Sequence, residues 1–205
     1  MIKTFCYFVP MKPLTLLVSV LIVNTSFSQV NSVSIKNSKE VSEASLNFAY
    51  SLPYEKGKSF LLVQAYKSKL FSHRGELALD FKMKKGTKIC AARSGIVVDV
   101  KEDSKKGGIG IKYLSQGNHV IIKHDDGTYA NYWHLRYNGA LVNIADTVIQ
   151  GQPIGLAGRT GYALFSHLHF EVTTRPYPGH DQLPTKFVTR KGNRFLKPLH
   201  WYKSI

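Results

Sequence analysis

The chain has 205 residues, which is enough for one domain with a well-buried core and for little more. Hydrophobic residues make up 43% of the chain, a globular level that excludes disorder over most of its length. The formal net charge is +15, from 28 basic and 13 acidic side chains. This excess favours an anionic partner, and charge alone leaves open nucleic acid, a membrane surface or an acidic polymer.

The first 28 residues have the features of a secretory signal peptide. Lys3 and Lys12 precede an apolar run at 14–23, and Ser-Phe-Ser at 26–28 fits the small-x-small cleavage rule. The run is too short to span a bilayer comfortably, although an uncleaved anchor is the alternative. We therefore predict export to the bacterial periplasm, cell envelope or medium, with no stable membrane span after cleavage. Cleavage removes two lysines and no acids, which lowers the charge from +15 to +13. For an exported basic protein we expect an anionic wall polymer as partner rather than nucleic acid.

Residues 29–50 are rich in Ser, Asn and Lys and show no clean period, which predicts a linker or flexible arm. Whether this arm inhibits the domain is left open by the sequence. Residues 51–205 are then one domain with a C-terminal tail, too short to be a second domain. After cleavage Cys90 is the one remaining cysteine, so no internal disulfide forms, and Cys90 is expected to behave as a small buried hydrophobe.

The domain consists of short apolar runs separated by Gly, Asp and Asn, without a sustained helical period, which predicts an all-β (mainly β) fold. Asp126-Gly127 between two β-rich runs predicts a hairpin, and residues 144–162 read as strand, turn, strand, turn. The predicted strands are 60–66, 77–81, 87–92, 95–100, 119–124, 128–135 and 168–173.

The segment Ser-His-Leu-His-Phe-Glu at 166–171 raises the possibility of a metal site. Because side chains alternate along a strand, His167 and His169 share a face with Glu171, while the intervening apolar residues point into a core. The two histidines are about 6.5 Å apart along the backbone, close enough to serve one metal centre. A polar strand face without metal is the alternative, and this segment alone favours it.

Two further histidines lie in suggestive contexts. In the run 128–135, alternation places Tyr132 and His134 on one face, with Trp133 and Leu135 on the other. His73 lies in a polar loop before a strand that contains Asp80. Two histidines, one carboxylate and an open position form the usual ligand set of a catalytic zinc site.

These segments together resemble the lysostaphin-type (LytM-like) zinc metallopeptidases, which are peptidoglycan endopeptidases. The likeness covers about residues 54–175 and rests on three motifs in order: the His…Asp…Gly-Thr segment from His73, Tyr-Ala-Asn-Tyr-Trp-His-Leu, and a Gly-rich run ending in His-x-His. It implies a small antiparallel sheet core of the lysostaphin-like, duplicated hybrid motif type, with long loops walling a groove over one Zn²⁺ per chain.

The resemblance also implies residue roles. His73, Asp80 and His169 match the metal ligands, and His134 and His167 match the two catalytic histidines. The spacing departs from the family pattern, because six residues rather than three separate His73 from Asp80. Glu76 has the usual spacing and is the rival carboxylate. We prefer Asp80, which lies in an apolar strand frame and is followed by five residues and then Gly-Thr.

The expected function is a zinc-dependent endopeptidase that hydrolyses peptide cross-links of peptidoglycan, although the sequence does not identify which cross-link. The alternative is a non-catalytic module of the same type that regulates another wall hydrolase. A basic exported protein that merely adheres to wall polymer or lipopolysaccharide is a third reading. The other histidines are expected to be structural or solvated, and substrate contact is left open for Tyr132 and Arg159. Those histidines are His119, His124, His180 and His200.

Overall fold

The computed structural model describes residues 48–66, 75–176 and 181–205. The predicted signal peptide, most of the predicted arm, His73 and His180 lie outside these residues. Within them the fold is mainly β, with one short 3₁₀ helix at Ile111–Gln116. None of the helices in the described ranges has the length and apolar character needed to cross a membrane.

Over the described ranges, sixteen strands form three sheets. In chain order the strands are β1 (Ala49–Tyr50), β2 (Ser59–Gln64), β3 (Ala78–Lys82), β4 (Lys88–Cys90), β5 (Gly95–Lys101), β6 (Gly107–Gly108), β7 (Asn118–Lys123), β8 (Tyr129–Ala140), β9 (Thr147–Val148), β10 (Pro153–Ala157), β11 (Gly161–Tyr162), β12 (His167–Thr173), β13 (Gln182–Leu183), β14 (Lys186–Thr189), β15 (Gly192–Arg194) and β16 (His200–Lys203).

The main sheet has eleven strands, and its central path runs β16-β2-β3-β12-β8-β7-β5-β9. Its strand pairs are antiparallel, including the three pairs that matter most here: β2 with β3, β3 with β12, and β12 with β8. Strand β10 joins β4 to β8, and β13 pairs with the end of β12. The predicted antiparallel β fold is therefore confirmed.

The core lies on one face of this sheet. The even-numbered residues of β12, Leu168, Phe170 and Val172, are fully buried, as their alternation predicts. Phe170 packs edge-on against Tyr132 of β8 and Phe187 of β14, with ring centroids 5.2 and 5.7 Å apart. Since these apolar side chains take one face of β12, the polar residues between them must occupy the other.

The predicted strands are all present, and their ends differ from the prediction by at most two residues, except that β8 extends five residues further, to Ala140. The hairpin between β7 and β8 is also confirmed. Gly127 has a φ of 81°, and the amide of His124 donates to the carbonyl of Thr128 across the turn. Only glycine takes this backbone conformation without strain, which is why the Asp-Gly pair was informative.

Two boundaries differ from the sequence prediction. Tyr50, placed at the end of the arm, is fully buried in the core, and β1 pairs in parallel with β14. The residues after 181, predicted as a tail, contribute four strands, and β16 extends the main sheet by pairing with β2. Short strands with many Lys and Pro residues around them give only a weak periodic signal, so the sequence pattern could not reveal these pairings.

Candidate metal centre and catalytic groove

A groove of about 850 Å³ lies over the face of β3, β12 and β8 that is opposite the core. Asp80 lies on β3, His167 and His169 on β12, and His134 on β8. All four side chains line the groove. The structure therefore brings together the four predicted site residues that it describes, and the fifth, His73, lies outside the described residues.

Asp80 and His169 are in direct contact in the groove. They lie directly opposite each other in the antiparallel register of β3 and β12, which puts both side chains on the same face. Nδ1 of His169 is 3.0 Å from Oδ1 of Asp80. The other carboxylate oxygen, Oδ2, accepts a hydrogen bond of 2.8 Å from Nε2 of Gln64 on β2. Residues of two neighbouring strands, β2 and β12, thus contact the carboxylate of Asp80, and this residue is only 2% exposed.

His167 lies two residues before His169, on the same face of β12. Its Nδ1 donates a hydrogen bond of 2.9 Å to the carbonyl of Phe165, because a carbonyl oxygen can only accept. Its Nε2 is 3.6 Å from Oδ1 of Asp80. The ring orientation is therefore fixed by a local backbone contact, and in the neutral ring the lone pair lies on Nε2.

His134 reaches the groove through a β-bulge. Trp133 pairs with His119 of β7, and Leu135 pairs with the preceding residue, Asn118, so His134 is an extra residue in β8. Its φ of 67° lies in the left-handed region, which few non-glycine residues adopt. The ring centroid of His134 lies 4.6 Å from that of His167.

This bulge corrects the predicted faces of β8. Tyr132 was expected to share a face with His134, but it is fully buried in the core, where its hydroxyl accepts a hydrogen bond from the amide of Ala92. Trp133 and His134 instead both line the groove. Tyr132 is therefore unavailable for the substrate contact that the sequence left open.

Thr160 stabilises the bulge by three hydrogen bonds. Its carbonyl accepts a bond of 2.7 Å from Nδ1 of His134. Its hydroxyl donates to the carbonyl of Leu135 and accepts from the amide of Asn118, at 2.7 and 2.9 Å. The next residue, Gly161, packs so closely against Gly117 that a Cβ atom would lie 2.7 Å from the Cα of Gly117. The Gly-Arg-Thr-Gly segment thus fixes the catalytic candidate on β8, a role that its sequence did not reveal.

The ionisation of the groove histidines follows from their burial and neighbours. Burial, together with the adjacent His167 and His169, lowers the pKa of His134 well below its usual value. His169 is also buried, which by itself would lower its pKa. The hydrogen bond and charge of Asp80 outweigh that effect and raise the pKa of His169 to about 9. His134 is therefore a neutral acceptor at neutral pH, whereas His169 is held against an anionic partner.

The donor set fits part of a metal site. Among the described residues, no group of three His, Cys, Asp or Glu side chains is arranged to hold an ion. The pair Asp80 and His169 fits two adjacent corners of a zinc site, because ligand atoms about 2.0–2.1 Å from zinc lie about 3.3 Å apart in a tetrahedron. The observed 3.0 Å between Nδ1 and Oδ1 is close to that value. A third ligand is needed, and the predicted one is His73, which precedes β3 in the sequence and lies outside the described residues.

Glu76, the rival carboxylate, is half-buried and also lines the groove. It lies before β3, outside the register that places Asp80 opposite His169. Glu171, on the same face of β12 as the histidines, bonds to Nε2 of Gln182 on β13. The geometry thus favours Asp80 over either glutamate as the partner of His169.

The walls of the groove are largely apolar. Ile109, Leu114 and Leu164 are 63%, 60% and 57% exposed, and Tyr162 and Leu199 stand beside them. Trp133 is supported from behind by His119, whose ring centroid is 4.3 Å away and whose Nε2 lies 2.9 Å from Oδ2 of Asp99. Trp133 was assigned to the opposite face by alternation, so the sequence analysis missed it as a groove residue.

The remaining predictions concern residues outside the groove. His124 is 3% exposed, and its Nδ1 donates to the carbonyl of Ser94 at 2.8 Å, so it is structural, as is His119. His200 is exposed on β16. Cys90 is fully buried, and burial raises the pKa of its thiol to about 11, in agreement with its predicted role as a small hydrophobe.

This antiparallel sheet, with Asp80 and three histidines gathered on the groove side of its central strands, defines a metallopeptidase-like domain. The family model of peptidase family M23 matches residues 73–181, which is more than half of the chain. The chain therefore belongs to peptidase family M23, and the resemblance to lysostaphin-type enzymes is confirmed.

Named relatives agree with this assignment. The chain is 33% identical over 99 residues to the peptidoglycan DD-endopeptidase ShyA of Vibrio cholerae, covering 48% of this chain and 20% of the relative. It is 32% identical over 93 residues to lysostaphin of Staphylococcus simulans, covering 45% and 17% respectively. The chain thus spans about a fifth of the length of the curated relatives that it matches.

A solved structure shows the same fold. The catalytic domain of the prophage-encoded M23 protein EnpA from Enterococcus faecalis superposes with a TM-score of 0.51 and 26% identity. The match covers 64% of this chain and 94% of that domain. Nearly the whole of a separate M23 catalytic domain therefore has its counterpart here.

Proposed function

We propose that this protein is a zinc-dependent endopeptidase that hydrolyses peptide cross-links of bacterial peptidoglycan. The observation that carries the proposal is the convergence of Asp80, His134, His167 and His169 on the floor of one groove. Membership of peptidase family M23 supports peptidase chemistry. The likeness to ShyA, a peptidoglycan DD-endopeptidase, supports the peptidoglycan substrate.

One Zn²⁺ per chain would be held by His73, Asp80 and His169. Bound there, zinc would supply a Lewis acid that polarises the scissile carbonyl and makes water a stronger nucleophile. The buried carboxylate of Asp80 contributes negative charge, and its bond from Gln64 fixes its orientation before the metal binds. The ligand pair is therefore preorganised by strand register and needs little rearrangement.

His167 is the residue that we assign to proton transfer. With Nδ1 donating to the carbonyl of Phe165, its Nε2 can accept a proton from the attacking water and pass it to the leaving amine. His134 is the weaker candidate for that role. Burial and the nearby His167 and His169 lower its pKa, so its ring resists taking up a proton. A neutral His134 bonded through Nδ1 to Thr160 accepts a hydrogen bond at Nε2, so it orients the water.

The groove also suits a peptide. Its apolar walls at Ile109, Leu114 and Leu164 can cover the aliphatic parts of a cross-link, while the polar floor addresses the scissile bond. The domain that carries the groove begins no later than Phe48 and includes the C-terminal strands. We propose that residues 1–28 direct its export and that the segment after them, to about residue 47, links or covers it.

The second candidate is a non-catalytic binding module of the same family. Such a module needs the groove but not the proton-transfer residues. The fixed orientation of His134 and His167, each with Nδ1 bonded to a backbone carbonyl, favours the enzyme. Simple adhesion of a basic exported protein to wall polymer does not require histidines in fixed orientations.

Digestion of purified peptidoglycan, with fragments identified by mass spectrometry, tests the proposal. We expect new amino termini within the cross-links, loss of activity with a chelator and recovery with zinc. The mass of the fragments identifies the bond that is cut. Undigested peptidoglycan in the presence of zinc-loaded protein would replace the proposal by the binding module.

A further inference from the structure

The C-terminal strands form a second concave surface, separate from the catalytic groove. It is a cleft of about 340 Å³ between the β14–β15 hairpin and β16. We call it the basic cleft, and its lining residues are Thr189, Arg190, Lys191, Arg194, Lys197, His200, Trp201, Tyr202 and Lys203. Five of them carry permanent positive charge, and none is acidic.

The cations of this cleft are not neutralised within the part of the chain that the structure describes. There, no ion pair joins any of the five to a carboxylate, while elsewhere Lys88 and Arg175 each have one and Arg93 has two. The sequence explains this, because residues 182–205 contain six basic side chains and no Asp or Glu. Confining like charges to a concave surface raises the local potential and so favours an anionic ligand.

Hydrogen bonds between side-chain hydroxyls and the backbone also fix the shape of the cleft. The hydroxyl of Tyr202 accepts from the amide of Lys197 at 2.8 Å and donates to the carbonyl of the same residue at 3.1 Å. At the tip of the hairpin, the hydroxyl of Thr189 donates to the carbonyl of Gly192 and accepts from the amide of Lys191. The cations therefore project from a fixed frame rather than from a loose tail.

One large aromatic side chain stands among these cations. Trp201 is 69% exposed, although water contact over most of an indole ring is unfavourable. Its neighbour on β16, Tyr202, is anchored through its carbonyl to the hydroxyl of Tyr54 at 2.7 Å. A fixed, exposed indole beside cations offers a flat apolar face for a sugar ring and charge for its acidic groups.

From these observations we propose that the basic cleft binds an anionic glycan, a sugar polymer that bears phosphate, sulfate or carboxylate groups. The cleft adjoins the catalytic groove, because Leu199 lines the groove and the next residue, His200, lines the cleft. Binding requires no catalysis, so it stands whether or not the peptidase proposal holds.

Binding of the full chain to dextran sulfate, measured by biolayer interferometry at physiological salt, tests the proposal. The cleft variant is Arg190→Gln/Lys191→Gln/Arg194→Gln. The matched control, Lys84→Gln/Lys85→Gln/Lys123→Gln, removes the same charge from other exposed positions. We expect roughly tenfold weaker binding for the cleft variant and less than about twofold for the control. An equal loss in both variants would show a general charge effect and overturn the site.

Three further measurements separate glycan from other anions. Uncharged dextran should not bind; if it binds as tightly as dextran sulfate, the electrostatic basis is wrong. Trp201→Ala should weaken dextran sulfate binding several-fold and leave polyphosphate binding unchanged, and an equal effect on both would overturn the assignment to a glycan. Cleft-dependent binding to phosphatidylglycerol vesicles that is tighter than binding to dextran sulfate would replace the glycan by a membrane surface.

Discussion

The carboxylate of Asp80 and the imidazole of His169 are held 3.0 Å apart because the two residues are directly opposite in the pairing of β3 with β12. Neither side chain depends on a loop for its position. A metal ligand pair built on adjacent central strands is more rigid than one built on loops, which agrees with its proposed role in holding zinc.

The first prediction concerns the choice of carboxylate. Purified wild-type protein should contain about one zinc per chain, and Asp80→Ala should lose most of it, because a catalytic site has only three protein ligands. Glu76→Ala is the matched control and should retain zinc. The metal content is measured by mass spectrometry, with circular dichroism to show that each variant is folded. Retention in Asp80→Ala with loss in Glu76→Ala would make Glu76 the ligand.

The second prediction separates metal binding from proton transfer. His134→Ala and His167→Ala should keep their zinc but lose peptidoglycan hydrolysis by about 100-fold or more, the usual contribution of a general acid–base residue. His169→Ala should lose both zinc and activity. Rates are measured on defined cross-linked fragments. A variant of His134 or His167 with activity near that of the wild type would remove that residue from the mechanism.

The third prediction concerns Gly161, which is packed against Gly117 beside the bulge. Its φ is 79°, and an added Cβ would lie 2.7 Å from Cα of Gly117 and 3.4 Å from Nδ1 of His134. Gly192 is the matched control, since its φ is 84° but its surroundings are open. Gly192→Ala should lower the free energy of unfolding by about 1 kcal/mol, the cost of backbone strain alone.

Gly161→Ala should lower the free energy of unfolding by roughly 1–3 kcal/mol more than the control does, because the backbone at Gly117 has to move. Hydrolysis should fall as well, since Thr160 and with it His134 are displaced. Denaturant unfolding and peptidoglycan digestion provide the two measurements. Equal unfolding free energies for the two alanine variants would show that the close approach is unimportant.

The fourth prediction is a pH dependence of stability that arises from His124. Burial lowers the pKa of this histidine from 6.5 to about 4, so the folded protein holds it neutral. Between these two values the unfolded chain binds a proton that the folded chain does not, and the free energy of unfolding therefore falls as the pH decreases from 6.5 to 4. Protonation of His124 in the unfolded chain lowers the free energy of unfolding by on the order of 3 kcal/mol over this interval.

Urea unfolding at several pH values compares the wild type with His124→Gln. The variant cannot titrate at this position, so its free energy of unfolding should change less over that interval. The loss of the bond to Ser94 lowers its stability at every pH and does not alter the slope. Parallel curves for the two proteins would show that His124 is not responsible.

The strands and the site residues could be predicted from the sequence wherever side chains alternate strictly between the two faces of a strand. The positions of His167 and His169 on one face, and of Leu168 and Phe170 on the other, follow directly from the period of two. The choice of Asp80 rested on its apolar strand frame, and the register opposite His169 is consistent with it. In these strands local sequence and tertiary packing agree.

The same reasoning failed on β8. A bulge shifts every later residue to the opposite face, and nothing in Asn-Tyr-Trp-His-Leu signals a left-handed backbone at His134, since glycine is the usual mark. The bulge is stabilised from outside the strand: the carbonyl of Thr160 accepts a hydrogen bond from His134, and its hydroxyl donates one to Leu135. Contacts between residues this far apart in sequence are invisible to a periodic pattern. Trp133 was missed for this reason.

The position of the site within the sheet limits how a substrate can be recognised. Strand β12 lies between β3 and β8, and these are paired on their outer sides with β2 and β7. In the part of the chain that the structure describes, the catalytic strands therefore present no open edge along which a substrate could add as a further strand. We therefore expect a substrate of the proposed peptidase to be recognised by side chains and loops around the groove rather than by strand addition. Because strand addition favours an extended peptide of uniform L-chirality, we expect a site without it to accept a branched or mixed-chirality peptide as readily as a linear one.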